Sequence, residues 1–463
     1  MKPFKKVKSI HFVGIGGAGM IGIARVLLKK GYKISGSDIS DSIELRKLKK
    51  DGARVFIGHD KENIRGANLI VVSSAINLKN PELTQAKKDS ITIIPRAEML
   101  GSIMIGYESI AVAGSHGKTT TTSMIAKILS VANLSPTYVV GGKVLSTDEN
   151  SDLGDGKYLV AEADESDGTF IHLQPDVAVL TNIDDDHLVH YQNIFENLLD
   201  SFVMFAENVP FYGYLMINGD DKNIKKISKR ISRTQITFGK SRNCDYQIKN
   251  INPVRGKQDF EIFDRKNKKI HKFKINLPGK HNVFNAAASI GVAMEEGIPI
   301  SYIKKGISAF SGVGRRYEKH KIIIKSKEII LIDDYGHHPI EIESNINAYK
   351  EEYPKKKVCM IFQPHRFSRT AQLFDDFIKV LAKADSLILL DIYSASEKPI
   401  RGINSRTIVE TIKQKGHKDV TYVKNHDDVI NLINDKKDYF DIVVTQGAGS
   451  VSKVCESIKH KWK

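Results

Sequence analysis

The run Gly114-Ser115-His116-Gly117-Lys118-Thr119-Thr120 has the residue types of a phosphate cradle. It follows a buried-type strand, Ser109-Ile110-Ala111-Val112-Ala113, and precedes a predicted helix from Thr121 to Leu129. That helix carries Met124, Ile125, Ile128 and Leu129 at helical spacing. A glycine turn at a strand-to-helix junction lets backbone N–H groups surround phosphate oxygens, and the positive end of the helix dipole adds to the attraction. Gly117 permits close approach, Lys118 reaches the terminal phosphates, and the Thr119 hydroxyl suits Mg2+. Val112 stands five before Gly117, so the form is the shorter GxxGK[ST] rather than GxxxxGK[ST].

Two acidic groups follow, each delivered by an apolar strand. One is Glu162-Ala163-Asp164-Glu165-Ser166-Asp167 after Tyr158-Leu159-Val160-Ala161, and the other is Asn182-Ile183-Asp184-Asp185-Asp186-His187 after Val177 to Thr181. Mg2+ takes one or two carboxylates together with phosphate oxygens and water, so both groups are metal candidates beside a phosphate loop. A carboxylate of the 162–167 group and His187 are the expected ligands.

These residues need a frame to hold them. The first block reads strand (Ile10 to Val13), glycine turn (Gly14-Ile15-Gly16-Gly17-Ala18-Gly19), helix (about Met20 to Leu28), then strands Lys33 to Asp38 and Asn68 to Ser73. That is the start of a doubly wound sheet. In the second block, 237–277 alternates and predicts short strands, and an alanine-rich helix covers about Val283 to Glu296. The third block, after Gly312-Val313-Gly314-Arg315-Arg316, alternates helices with strands at Ile329–Ile332, Val358–Phe362, Leu387–Leu390 and Ile442–Thr445. A parallel α/β sheet is again predicted.

The 463 residues are too many for one ordinary core, and roughly 150 residues per domain suggests three. A net charge of +16 is spread over dispersed lysines without an aromatic-interleaved basic stripe. Solvated lysine faces are therefore expected rather than nucleic-acid binding. No apolar run approaches the ~20 residues of a membrane span. Basic residues at the N-terminus lead into no apolar h-region, so no signal peptide is expected. Cys244, Cys359 and Cys455 are far apart, suggesting neither disulfides nor zinc and fitting a reducing cytoplasm.

From about Ile10 to Ser452, the motifs GxGGxGM, GSHGKTTTT, EADESD, TNIDDDH, LPGKHNVFNAAAS, GVGRRYE, DDYGHHP, QPHRFSRT and GAGS occur in sequence. In these motifs and their order the chain resembles the Mur ligases. The resemblance implies a Rossmann-like UDP-binding domain over 1–107, a central P-loop ATPase-like parallel sheet over 108–315 and a C-terminal Rossmann-like domain over 316–463. It implies that Gly114, Ser115, His116, Gly117, Lys118, Thr119 and Thr120 bind ATP, with Thr119, Glu162 and His187 holding two Mg2+ ions. His281, Asn282 and Asn285 would surround the adenine, Arg316 would approach the phosphates and Asp334 the ribose. His337, Arg366 and Arg369 would orient a carboxylate, an acyl phosphate or the incoming amino acid. Catalysis would rest on these three with Lys118, Glu162 and His187, and the third domain would close over the second.

Several Mur ligases carry a modified lysine in the helix after the DH motif, but Leu198-Leu199-Asp200-Ser201-Phe202-Val203 has none. This fits the branch that joins L-alanine to UDP-N-acetylmuramate for peptidoglycan synthesis. His190 stands where a small polar residue is usual, and it receives no role. The strictness for alanine over serine or glycine, and the choice between monomer and homodimer, stay open at this level.

Read alone, Gly14, Gly16, Gly17 and Gly19 with Asp38 suggest a dinucleotide site and hence a dehydrogenase. A second phosphate loop with its own acids is superfluous in such an enzyme. The diphosphate of UDP satisfies the same turn, with Ser73 and Ser74 nearby. The tripeptide-recycling ligase of the same family is the nearest alternative, although its first turn typically carries a cysteine and a large residue where this chain has Gly17-Ala18-Gly19-Met20. A nucleotide-gated binding protein would have no use for the C-terminal arginine motif.

Overall fold

The computed structural model describes residues 4, 6–145, 149–186, 188–395 and 397–462. The chain forms two compact units. The first reaches to Ser311 except for Pro253–Gln258 and Leu277–Gly279, which belong with the second unit from Gly312 onward.

Two sheets lie in the first unit. The smaller has the spatial order Arg54–Ile57, Lys33–Asp38, Ser9–Val13, Leu69–Val72, Thr92–Pro95, with every pair parallel. Its order reverses at Ser9–Val13, and in such sheets the crevice at that reversal is the ligand side. Gly14 leaves that strand at φ 81°. The helix Ala18–Lys29 then buries Met20, Ile23, Ala24, Val26 and Leu27 against the sheet.

The second sheet has ten strands. At its centre Glu108–Ala113 lies parallel to Val177–Leu180 on one side and Tyr158–Glu162 on the other. The phosphate loop and both acidic groups therefore emerge at the same sheet edge. The expected parallel central sheet is mixed, because Thr137–Val144 and Glu149–Asp152 pair antiparallel at one margin. The predicted short strands are Gln235–Gly239, Tyr246–Val254, Lys257–Asp264 and Lys269–Ile275.

The helix after the phosphate loop is Lys118–Val131, starting three residues earlier than expected, and it lies against Lys280–Glu295. Ala286, Ala287, Ala288, Gly291 and Ala293 are buried in that second helix, and such small side chains permit close backbone approach. Its far end is tied down by tyrosines. Tyr158 and Tyr214 donate to Glu296 at 3.1 and 3.0 Å, and Tyr246 donates to Glu295 at 2.6 Å.

The second unit carries one sheet, ordered Glu318–Ile324, Lys327–Asp334, Ile442–Gln446, Val358–Phe362, Ser386–Leu389, Val420–Tyr422. The first pair is antiparallel and the others are parallel. All three cysteines are free and buried. Among the described residues no helix is long and apolar enough to cross a membrane.

Candidate active site

The phosphate loop is braced from behind by the strand that ends at Leu180. Ser115 N donates to Asn182 O at 3.0 Å, and His116 N donates to Asn182 Oδ1 at 2.8 Å. Thr181 Oγ1 and Asn182 Nδ2 both donate to His116 O, at 2.7 and 2.9 Å. His116 also pairs with Asp184 at 3.2 Å. The segment read as a metal group thus spends Asn182 and Asp184 on holding the loop. His187 lies outside the described residues, and among those described no group of three His, Cys, Asp or Glu is arranged for a metal.

Gly114 and Gly117 have φ of 133° and 82°, a region that L side chains rarely adopt. A Cβ on Gly117 would lie 2.4 Å from Asn285 Oδ1. Asn285 and Asn282 are buried near the start of Lys280–Glu295, within 3.4 Å of each other, while His281 is exposed. Of the three sequence candidates on this helix, Asn285 meets the phosphate loop and Asn282 lies beside it. Thr120 is buried and Thr119 half-buried.

Lys118 is the centre of the charge arrangement. Its ammonium donates to Gly114 O at 2.6 Å and to both oxygens of Glu165, at 2.9 and 2.8 Å. Burial opposes its charge, but Glu165, then Asp164 and Glu162, hold it protonated above the usual lysine range. Glu165 is 1% exposed. Burial, reinforced by the negative charge of Asp164, pushes its carboxyl up to about 7 against the pull of Lys118. Nothing in the sequence distinguishes Glu165 from the three other acids of its motif.

Glu162 makes no hydrogen bond to Lys118 but lies within reach of its charge. Burial raises its carboxyl, and hydrogen bonds involving Thr119 and the Gly141 backbone act in the opposite direction. Its Oε1 is buried without a hydrogen-bond partner. A carboxylate oxygen left open beside a threonine hydroxyl is a donor set that fits a hard divalent cation such as Mg2+.

The first glycine turn is occupied by a side chain. Asp38 Oδ2 accepts from Gly16 N at 2.9 Å, while its Oδ1 accepts from Ser40 N at 3.2 Å. Gly14 N donates to Ser37 O. Gly17 caps the following helix without a side-chain hydrogen bond. Ser73 packs on Gly14, where a Cβ would come within 3.1 Å of its own, and Ser74 is exposed. Behind the turn, Glu82 is fully buried and accepts from Ser37 Oγ at 2.6 Å, Asn63 Nδ2 at 2.7 Å and His59 Nδ1 at 3.1 Å. Burial works to raise this carboxyl. The neighbouring His11, Ser37 and Asn63 outweigh it and hold the group at about 2.

In the second unit the candidates form a cluster of their own. Asp334 accepts from Tyr317 N, Gly336 N and Gln446 Nε2 at 2.7, 2.7 and 2.9 Å, so it fixes the turn on which His337 sits. Arg316 pairs with Glu341 at 3.1 Å and lies over the Tyr335 ring. His337 N also donates to Glu341, at 2.9 Å. The His337 ring is 5.5 Å from His365, whose Nδ1 is 3.2 Å from Arg369. Arg366 has the left-handed φ of 72°, and its Nε is buried without a hydrogen-bond partner. Strained backbone of that kind clusters at functional positions.

Comparison with known proteins follows this division. Residues 9–108 match the Mur ligase family catalytic domain, 112–293 the Mur ligase middle domain, and 315–449 the Mur ligase glutamate ligase domain. Similar solved structures include the UDP-N-acetylmuramate-alanine ligase of Thermotoga maritima, at 27% identity over 98% of each chain with a TM-score of 0.84. A murein peptide ligase from Psychrobacter arcticus matches at 22% identity over 98% of each chain, with a TM-score of 0.73. The MurF ligase of Thermotoga maritima, solved in complex with ADP, matches at 17% identity over 93% of this chain and 95% of its own, with a TM-score of 0.63. The chain, with its braced phosphate loop and three matching domains in order, belongs to the Mur ligase family.

Proposed function

We propose that the protein joins L-alanine to the lactyl carboxylate of UDP-N-acetylmuramate at the expense of ATP, in the synthesis of the peptidoglycan precursor. The observation that carries this reading is the Lys118 loop with the open Glu162 oxygen beside Thr119, in a chain similar over nearly its full length to an alanine-adding ligase. A carboxylate does not acylate an amine in neutral water, because oxide would have to leave. Transfer of the γ-phosphoryl group to the lactyl carboxylate gives an acyl phosphate and ADP. Attack by the alanine amine then forms the amide, and phosphate departs with the bonding pair.

Lys118 and the loop N–H groups hold the phosphates, and Asn282 and Asn285 offer donors and acceptors to the adenine edge. Mg2+, held through Glu162 and Thr119, would screen the repulsion between two anions. A second ion at His187 extends this proposal from the sequence. Gly14, Gly16, Gly17 and Gly19 would receive the UDP diphosphate, with Asp38, Ser73 and Ser74 around it. Arg316, Asp334, His337, Arg366 and Arg369 are proposed to serve nucleotide and amino acid, and guanidinium groups suit carboxylates through paired hydrogen bonds. The domain limits near 107 and 316 belong to this proposal as well.

The similarity to a murein peptide ligase favours one second reading, attachment of a tripeptide to the same sugar nucleotide. One assay separates them: phosphate release from ATP with UDP-N-acetylmuramate and either L-alanine, L-serine, glycine or the tripeptide. Release requiring both the sugar nucleotide and L-alanine supports the proposal. Release with the tripeptide alone supports the second reading, and release with neither sinks both.

A further inference from the structure

The acidic turn at 164–167 touches cations from two different places. Glu165 holds Lys118 of the phosphate loop through both carboxylate oxygens. Asp164, the residue before it, holds Arg96, with Nη2 at 3.3 Å from Oδ2; Asp167 follows at 3.9 Å. Arg96 opens the helix Arg96–Met104 after the last strand of the first sheet. Its side chain is 18% exposed and turned onto the first glycine turn, where a Cβ on Gly19 would fall 2.6 Å from its Nη1. The room that Gly19 leaves is therefore filled by a guanidinium.

That position is electrostatically unusual. The cation lies over the first turn of Ala18–Lys29, which carries no acidic residue, and the positive end of a helix dipole disfavours a cation there. Asp164 and Asp167 supply the compensation. An anion arriving at the turn would provide it better, meeting a planar guanidinium together with uncapped N–H groups.

We propose that Arg96 is a further binding residue for the diphosphate of the sugar nucleotide, and that Asp164 couples this event to the phosphate loop. The inference rests on the reading of the first turn as the sugar-nucleotide site. When the diphosphate takes the guanidinium, Asp164 loses a counter-charge. Its negative field then falls more fully on Glu165 and Lys118, both of which already sense it. Binding at one turn thus changes affinity at the other, and by linkage the effect is reciprocal.

Calorimetric titration of the full chain tests this, with UDP as the probe of the first turn and Mg2+–AMP-PNP as the probe of the second. In the wild type, saturating AMP-PNP should change UDP affinity by at least about fivefold. Asp164→Asn removes the nearer of the two competitors for Arg96, so UDP alone should bind about threefold more tightly, while the coupling factor falls to one. Arg96→Gln should weaken UDP about tenfold and also abolish coupling, and Arg96→Lys should restore part of the affinity. A purely structural ion pair would weaken UDP in Asp164→Asn. Weakened or unchanged UDP binding in that variant, or coupling that persists in both charge-removing variants, overturns the inference. Absence of UDP or AMP-PNP binding in the wild type would instead overturn the parent reading.

Discussion

The first unit contains two glycine turns, each at the carboxyl end of a central parallel strand and each backed by a buried glutamate. Their construction differs. At Gly14–Gly19 the turn accepts side chains, Asp38 on Gly16 N and Arg96 over Gly19. At Gly114–Lys118 the glycines make room for Thr181 and Asn285, and the loop is braced from behind. Glu82, behind the first turn, is surrounded by donors and held at about 2, whereas Glu165, behind the second, faces one ammonium and is pushed up to about 7. Glycine spacing therefore says that a backbone comes close to something. The distant residues that fill the space decide what.

The largest effect should come from Lys118→Ala. Losing the ammonium should slow ligation at least about a hundredfold while UDP binding stays near the wild-type value. A phosphate-release rate within a few-fold of wild type would remove the loop from the chemistry.

Next comes a matched pair. Gly117→Ala places a side chain at φ 82° against Asn285, costing about 1–2 kcal/mol from backbone handedness and weakening AMP-PNP binding. Gly19→Ala meets a movable guanidinium, so its effect should fall on UDP affinity, with a smaller loss of stability. Equal effects of both variants on both ligands would erase the distinction between the turns.

The two glutamates give opposite pH slopes in urea-denaturation series. The folded value of Glu82 lies below its ordinary 4.5, so its stabilisation is present above pH 4.5 and is lost as pH falls toward about 2. Glu82→Gln should cost about 1–3 kcal/mol at neutral pH, with the gap narrowing in acid. The folded value of Glu165 lies above 4.5, so its contribution is present below pH 4.5 and is lost as pH rises through about 7. Glu165→Gln should flatten that decline, the smallest of the expected changes. Parallel pH curves for the two variants would contradict the contrast drawn between them.

Local features carried much of this into the sequence. The strand–glycine–helix order around Lys118 is a short-range pattern, and the alternation of 237–277 predicted its strands. The helix begins three residues before the expected Thr121, and its start is hidden because Thr119 and Thr120, close behind Gly117, are weak helix formers. Long-range pairings were hidden. Lys118 meets an acid 47 positions away, and four carboxylates in one motif give composition no means of choosing among them. Arg96 carries no local signal at all. Asp334, expected near a ribose on resemblance, is already engaged by three donors within its own unit.

The alanine-rich helix Lys280–Glu295 has a consequence for tolerance to insertion. Its tail is fixed by three tyrosines and its head presents Asn285 to Gly117, so it acts as a gauge block about 24 Å long. One residue added between the anchors would turn the asparagines by about 100° and lift them about 1.5 Å along the axis. Length variation in this protein should therefore collect in its surface hairpins, while this helix keeps its count even where its alanines drift.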